Sequence, residues 1–274
     1  MKKRTILLIT LIGFLALMVG APKSLAPQKE ALFTINKGEG SKDIALNLEK
    51  EGMVWWGQLF RAYVLTRGTA NNIQAGTYRI SPRMSLFTIA EKFASGDVAK
   101  EIVTIPEGFT SGQIHQKLKN IIASDQAILA REEGYLFPDT YVIPYGLELN
   151  KVIELMKDNF NQKTAGLKIT PQAMVMASIL EKELKIKEDK EIASGLLWKR
   201  IRVGMPLQVD AFMWTYQNRG LPEFPIANPG LDSIKAALSP KDSPYWYYLS
   251  TPEGKTIFSK TLEEHNIAKA KYLK

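Results

Sequence analysis

Between Ala173 and Leu184 apolar residues recur at helical spacing, which puts Ala173, Met176, Ala177, Leu180 and Leu184 on one stripe. Glu181 lies one turn beyond Ala177 and Ser178 and borders that stripe, while Glu183, two residues on, points roughly the other way. A carboxyl group edged by Met174, Ala177 and Leu180 is partly desolvated, and desolvation favours the form that can donate a proton. An amphipathic helix with a border glutamate and no chemistry has the same pattern, so spacing alone leaves both readings open.

Nearer the N-terminus the pattern is a weak three-fold repeat of strand, turn and helix. Ile35, Ile80 and Ile105 each end a strand-like run, and the turns NKGEG, SPRM and PEGF follow. Ser41, Ser85 and Thr110 then stand as helix N-caps, with Gln113 completing a capping box after Thr110. Ile44, Ile89 and Ile114 come nine residues after the starting isoleucines, on the inner face of each predicted helix. Further helices are predicted over Lys119–Ala130, over Val152–Asn161, from Pro171 onward, and over Lys190–Arg202, Leu231–Leu238 and His265–Tyr272. A hairpin is expected to pair Tyr245–Ser250 with Thr256–Lys260 across Pro252-Glu253-Gly254. The fold class is α+β. Trp55-Trp56, just after Gly52, read either as a platform for sugar rings or as half-buried core.

The first residues are patterned differently. Thr5–Ala21 is an uncharged apolar run behind the basic cluster Met1–Arg4, near the lower length limit of ~17 residues for a spanning helix. Small-residue sites at Gly20-Ala21 and Ser24-Leu25-Ala26 are each followed by proline, Pro22 and Pro27, a poor context for a peptidase. An uncleaved anchor is therefore favoured over a cleaved signal peptide, with the bulk of the chain on the extracytoplasmic side. The domains read as an anchor and linker over 1–27, a small membrane-proximal α+β subdomain over 28–100, and an α+β domain with the glutamate-bearing helix over 101–274.

A net charge of +8 over 274 residues raises the question of nucleic acid. Lys2, Lys3, Arg4 and Lys23 supply four of those eight charges, with no acid before Glu30, and the remainder is dispersed among acids. No basic stripe interleaved with aromatics stands out, which argues against a nucleic-acid partner. The absence of cysteine excludes disulfides, thiolate metal sites and cysteine nucleophiles. His115 and His265 are the only histidines, so a multi-histidine metal site is excluded too.

Around the Glu181 helix lies an ordered set of motifs. EEGYLFPDTY (Glu132–Tyr141) precedes it. GMPLQVD (Gly204–Asp210), GLPEFPIANPG (Gly220–Gly230), SIKAALSP (Ser233–Pro240), YWYYLS (Tyr245–Ser250) and FSKTLEEHN (Phe258–Asn266) follow. With the ASILEKE helix, this set resembles the endolytic murein transglycosylases of the YceG-like, or MltG, type. The segment FTINKGEGSKDIALNLEKEGMV looks like a LysM-type glycan-binding module. Four departures from the family pattern are visible. Val209, Ala211 and Phe212 stand where the family usually reads LQSDPT. Only Gln217, Asn218 and Arg219 separate Tyr216 from Gly220, where a segment of the SPYNTY type is usual. Glu223 and Phe224 replace Pro-Gly, and Thr256 stands where a histidine commonly precedes the Phe-Ser pair.

The resemblance implies a lytic cut of peptidoglycan glycan strands between N-acetylmuramic acid and N-acetylglucosamine, ending nascent strand growth. One glutamate would serve twice. It would protonate the glycosidic oxygen and then take the proton of the muramyl C6 hydroxyl, which closes a 1,6-anhydro ring. By matching motif positions, Glu181 is that acid/base. Gln208, Asp210, Ser178, Asn228 and His265 are the residues expected around the sugar. No metal or organic cofactor is implied, and peptidoglycan synthases are partners by analogy. Two other readings stay open: a catalytically weak or inactive peptidoglycan-binding scaffold, and a water-using muramidase with Asp210 as second carboxylate.

Overall fold

The computed structural model describes residues 22–23, 30–122 and 125–273. The apolar run Thr5–Ala21 and the Ser24–Ala26 site lie outside the described residues. Among the described residues no helix is long and apolar enough to cross a membrane. The class is mixed α and β, with helices and small two-stranded sheets. The chain divides into two units, residues 1–101 with 142–146, and residues 102–141 with 147–274.

In the first unit β1 (Ala31–Ile35) pairs antiparallel with β2 (Gly76–Ile80), with Phe33 opposite Tyr78. Alternation sends Phe33, Ile35, Tyr78 and Ile80 inward. There they meet α1 (Ser41–Lys50), α2 (Gly57–Thr66) and α3 (Leu86–Ser95). Phe93 centres an aromatic cluster, 5.7 Å from Phe33, 5.9 Å from Phe60 and 4.7 Å from Tyr78 between ring centroids. Gly57 lets α2 start hard against α1, because a Cβ there would lie 2.1 Å from the Ala45 carbonyl oxygen. Ser85 caps α3 by accepting from Thr88 N–H at 3.1 Å. The cap of α1 falls instead on Gly40, with Ser41 as first helical residue and no side-chain capping bond.

The chain leaves the first unit along β3 (Lys100–Thr104) and returns along β4 (Thr140–Pro144), which pair with each other. In the second unit, Thr110 and Gln113 form the expected reciprocal box at the start of α4 (Ser111–Leu118). The helix predicted over Lys119–Ala130 is not continuous. Lys119 ends α4, and a new short helix, α5 (Gln126–Ala130), begins where the Asp125 carboxylate accepts from Ala127 N–H at 2.8 Å. A side chain that bonds the backbone locally competes with helix continuation, which the apolar spacing does not reveal.

After α6 (Leu149–Lys163), Thr170 caps α7 (Pro171–Glu183), with proline in the first turn. Every residue from Ala173 to Leu180 in α7 is buried, so this is a central helix rather than a surface helix with one inner face. α8 (Lys187–Arg202) and α10 (Leu231–Leu238) pack on it, with the short α9 (Trp214–Gln217) between them in sequence. Gly195 in α8 lets the loop after α10 approach closely, since a Cβ there would lie 1.9 Å from the Lys241 carbonyl oxygen. The hairpin appears as β5 (Tyr247–Ser250) and β6 (Thr256–Ser259), and α11 (Leu262–Tyr272) closes the unit.

Candidate active site

The last turn of α7 carries two carboxylates with opposite surroundings. Glu181 is shut in: its side chain is 8% exposed and its Oε1 meets the Lys190 ammonium at 3.0 Å, itself 4% exposed. Its Oε2 accepts from Gly230 N–H at 2.9 Å and from Ser233 Oγ at 2.7 Å. Gly230 is the N-cap of α10 and has no capping side chain of its own, so Glu181 fills that role from a neighbouring helix and meets the positive end of the α10 dipole. The carboxyl of Glu107 presses on the same corner, since a Cβ on Gly230 would lie 1.8 Å from its Oε1. Burial pushes the Glu107 carboxyl up, and the Glu181 charge adds to that. Glu181 thus joins α7, α8 and α10 and is not among the residues that line the cavity beside Glu183.

Glu183 opens on this cavity, which has a volume of about 500 Å³ and shares its walls with Gln208, Asp210, Tyr216, Tyr248 and His265. Its Oε1 accepts from Ala211 N–H at 2.6 Å and its Oε2 from the Tyr248 hydroxyl at 3.0 Å. Burial pushes the Glu183 carboxyl above its ordinary range, opposed by the Ala211 and Tyr248 hydrogen bonds and reinforced by the charge of Asp210. Asp210 accepts a hydrogen bond from the Tyr216 hydroxyl. Burial and that carboxylate push the Tyr216 hydroxyl up to about 12.

The wall behind is held by Arg200, a buried guanidinium that donates to the Trp246 carbonyl at 2.9 and 2.6 Å and to the Leu207 carbonyl at 2.7 Å. It therefore fixes the start of the hairpin against the loop that carries Gln208. That loop holds Gln208 at φ 52°, in the left-handed region that a non-glycine residue rarely adopts. His265 is 7% exposed, stacks on Tyr247 at 5.3 Å, and has a buried Nδ1 with no hydrogen-bond partner. Burial, with Lys269 and Arg200 nearby, pushes its imidazole down, so it is neutral at pH 7.

Of the residues singled out from sequence, Gln208, Asp210 and His265 meet in this cavity. Ser178 and Asn228 are fully buried elsewhere. Ser178 Oγ donates to Val175 O at 2.7 Å and accepts from Ile226 N–H at 3.0 Å, without touching Glu181. Asn228 makes four bonds: its Oδ1 accepts from Gly134 and Leu136 N–H, and its Nδ2 donates to Phe109 O and Glu133 Oε1, all between 2.8 and 2.9 Å. Such a residue staples loops and has no valence left for a ligand. Sequence reasoning passed over Arg200, Tyr216 and Tyr248. The YWYYLS motif did contain Tyr248, but alternation along a strand could not say which tyrosine faces a carboxylate. Among the described residues no group of three or more metal-ligating side chains forms a metal site.

The sequence model of the YceG-like family matches residues 33–213 and 214–271. The chain belongs to the YceG-like family. A relative from Bacillus subtilis named endolytic murein transglycosylase is 28% identical over 318 residues, covering 90% of this chain and 87% of its own length. One of the same name from Streptococcus pneumoniae is 24% identical over 85% of this chain, which spans 56% of that longer relative. A solved YceG-like structure from Listeria monocytogenes superposes with a TM-score of 0.52 at 25% identity, covering 89% of this chain and all of the other.

Proposed function

We propose that this YceG-like chain is a murein transglycosylase whose proton-carrying group is Glu183 rather than Glu181. One observation carries the reading: a carboxyl pushed up by burial sits on a cavity wall, while the neighbouring carboxylate is consumed by Lys190, Gly230 and Ser233. The name shared by the relatives supports the reaction class. Protonated Glu183 gives its proton to the glycosidic oxygen as the bond from the muramyl C1 breaks. The resulting carboxylate takes the proton of the C6 hydroxyl of the same sugar, whose oxygen bonds C1. The product ends in a 1,6-anhydromuramyl ring, no water is consumed, and Glu183 regains its starting proton. Gln208, Asp210 and His265 surround the sugar, and Tyr248 and Ala211 N–H hold the carboxylate in place. Asp210 in the same cavity favours one second reading, a muramidase in which it activates water.

The same proposal extends to the rest of the chain. Thr5–Ala21 is a single-pass anchor, the first unit is a LysM-like glycan-binding spacer, and the enzyme ends nascent strands on the extracytoplasmic face beside peptidoglycan synthases. The deciding experiment is digestion of purified peptidoglycan strands followed by mass analysis. Anhydromuramyl ends support the transglycosylase. Reducing ends, heavier by one water, support the muramidase. No product leaves a peptidoglycan-binding scaffold.

A further inference from the structure

Trp55 and Trp56 sit in the turn between α1 and α2 and are 54% and 55% exposed. Their neighbours Met53 and Val54 are buried. The turn is therefore pinned to the core while two adjacent indoles stand in solvent, the kind of surface that marks an interaction site. Lys23 lies against the same turn. Its ammonium is 5.9 Å from the Trp55 ring centroid, and a Cβ on Gly52 would lie 3.6 Å from its Nζ.

We infer that Trp55 and Trp56 rest in the headgroup zone of the bilayer, with Lys23 at the lipid phosphates. The inference rests on reading Thr5–Ala21 as a membrane span. Lys23 follows the end of that run by two residues, which reach at most about 7 Å. Each headgroup zone is about 5–8 Å deep. The ammonium therefore stands at the phosphates and carries Trp55 with it. Indoles are favoured at this depth because they offer an apolar body and one N–H donor. The Lys23 ammonium lies over one face of the Trp55 ring, which leaves less of that ring for a sugar. The cation also suits anionic phosphate.

The test uses the full chain reconstituted into phosphatidylglycerol-containing vesicles in which the lipid chains are brominated near the headgroup. Flotation with the vesicles is scored first. Quenching of tryptophan emission is then compared between wild type and the double variant Trp55→Phe with Trp56→Phe, which retains Trp198, Trp214 and Trp246 as internal controls. The expected result is flotation of both, with the quenched component present in wild type and lost in the variant. Flotation without quenching, or equal quenching in both, overturns the placement and leaves the anchor standing. Failure to float overturns the anchor and the inference together. A spectral change from Trp55 and Trp56 on adding soluble glycan strands, without lipid quenching, overturns the inference in favour of a sugar platform. Circular dichroism of the variant should match wild type, since both side chains are replaced on the surface.

Discussion

Replacing each of the two α7 carboxylates by its amide separates chemistry from architecture. Glu183→Gln keeps the shape and can keep both hydrogen bonds: the amide oxygen accepts from Ala211 N–H, and the amide nitrogen donates to the Tyr248 hydroxyl. It cannot deliver a proton. General acid–base catalysis is worth roughly 10²–10⁴-fold, and one group serving two transfers puts the expected loss near 10⁴-fold. Its stability should stay equal or rise slightly at neutral pH. A carboxyl whose folded pKa is raised contributes stability below its unfolded pKa and loses it as pH rises through the folded value. The amide carries no such penalty above the carboxylate range.

Glu181→Gln should do the reverse. It leaves the Lys190 ammonium buried without its anion, which costs about 3–5 kcal/mol and should lower Tm by roughly 6–20 °C for a unit of this size. At temperatures where this variant is folded, its rate should stay within about tenfold of wild type, because a displaced α10 perturbs the cavity without removing the acid. The assays are anhydromuramyl product formed per unit time and thermal unfolding by calorimetry. A folded Glu181→Gln enzyme that is dead, beside an active Glu183→Gln enzyme, would refute the assignment.

Tyr248→Phe removes one donor that stabilises the ionised Glu183, so the alkaline limb of the pH–rate profile should move up by about one pH unit. Ala211→Pro removes the other, since proline has no N–H, and should move the same limb in the same direction. A downward shift in either would contradict the proposed proton carrier. Asn228→Ala should cost more than about 4 kcal/mol, because Gly134, Leu136, Phe109 and Glu133 all lose a buried partner; a small change in the urea midpoint would show that the loops are held otherwise. His265→Phe keeps a planar, slightly larger ring without an unpartnered nitrogen. It should leave Tm equal or higher while raising KM more than it lowers kcat, and an unchanged KM would remove His265 from the sugar site.

The elements were legible where local signals act alone. Leu231–Leu238 stands between the same residues in structure as in sequence, and the Thr110–Gln113 box forms as its spacing requires. The site was legible only in part, and α7 shows why. The apolar stripe assumes a helix with one inner face, but α7 is buried on all sides, so bordering the stripe says nothing about facing a cavity. What separates Glu181 from Glu183 is their neighbours. Lys190 and the N-terminus of α10 close over the first, and the chain turns away at Leu184, leaving the second beside the loop at Ala211 and the hairpin at Tyr248. Apart from the Lys190 pair, nine positions apart, those contacts join residues 28 to 65 positions apart, a range that periodicity does not reach.

The departures from the family pattern are informative for the same reason. Phe224 is exposed, so its exchange alters surface rather than cavity wall. Val209, where the family usually has serine, is fully buried, and its N–H bonds the Thr215 hydroxyl at 3.0 Å. The short loop after Tyr216 ends at Arg219, which bridges Pro206, and Gln208 and Asp210 line the cavity. Ala211 differs in kind. In the LQSDPT pattern a proline occupies its place and can donate nothing, whereas here a backbone N–H reaches Glu183 Oε1 at 2.6 Å. A hydrogen bond to the ionised form favours that form, so this chain holds its carboxyl lower than burial alone would set it. The price is a smaller protonated fraction at neutral pH for the first proton transfer. The same bond fixes the carboxylate against the loop that carries Gln208 and Asp210, so the exchange ties Glu183 to the residues proposed to surround the sugar.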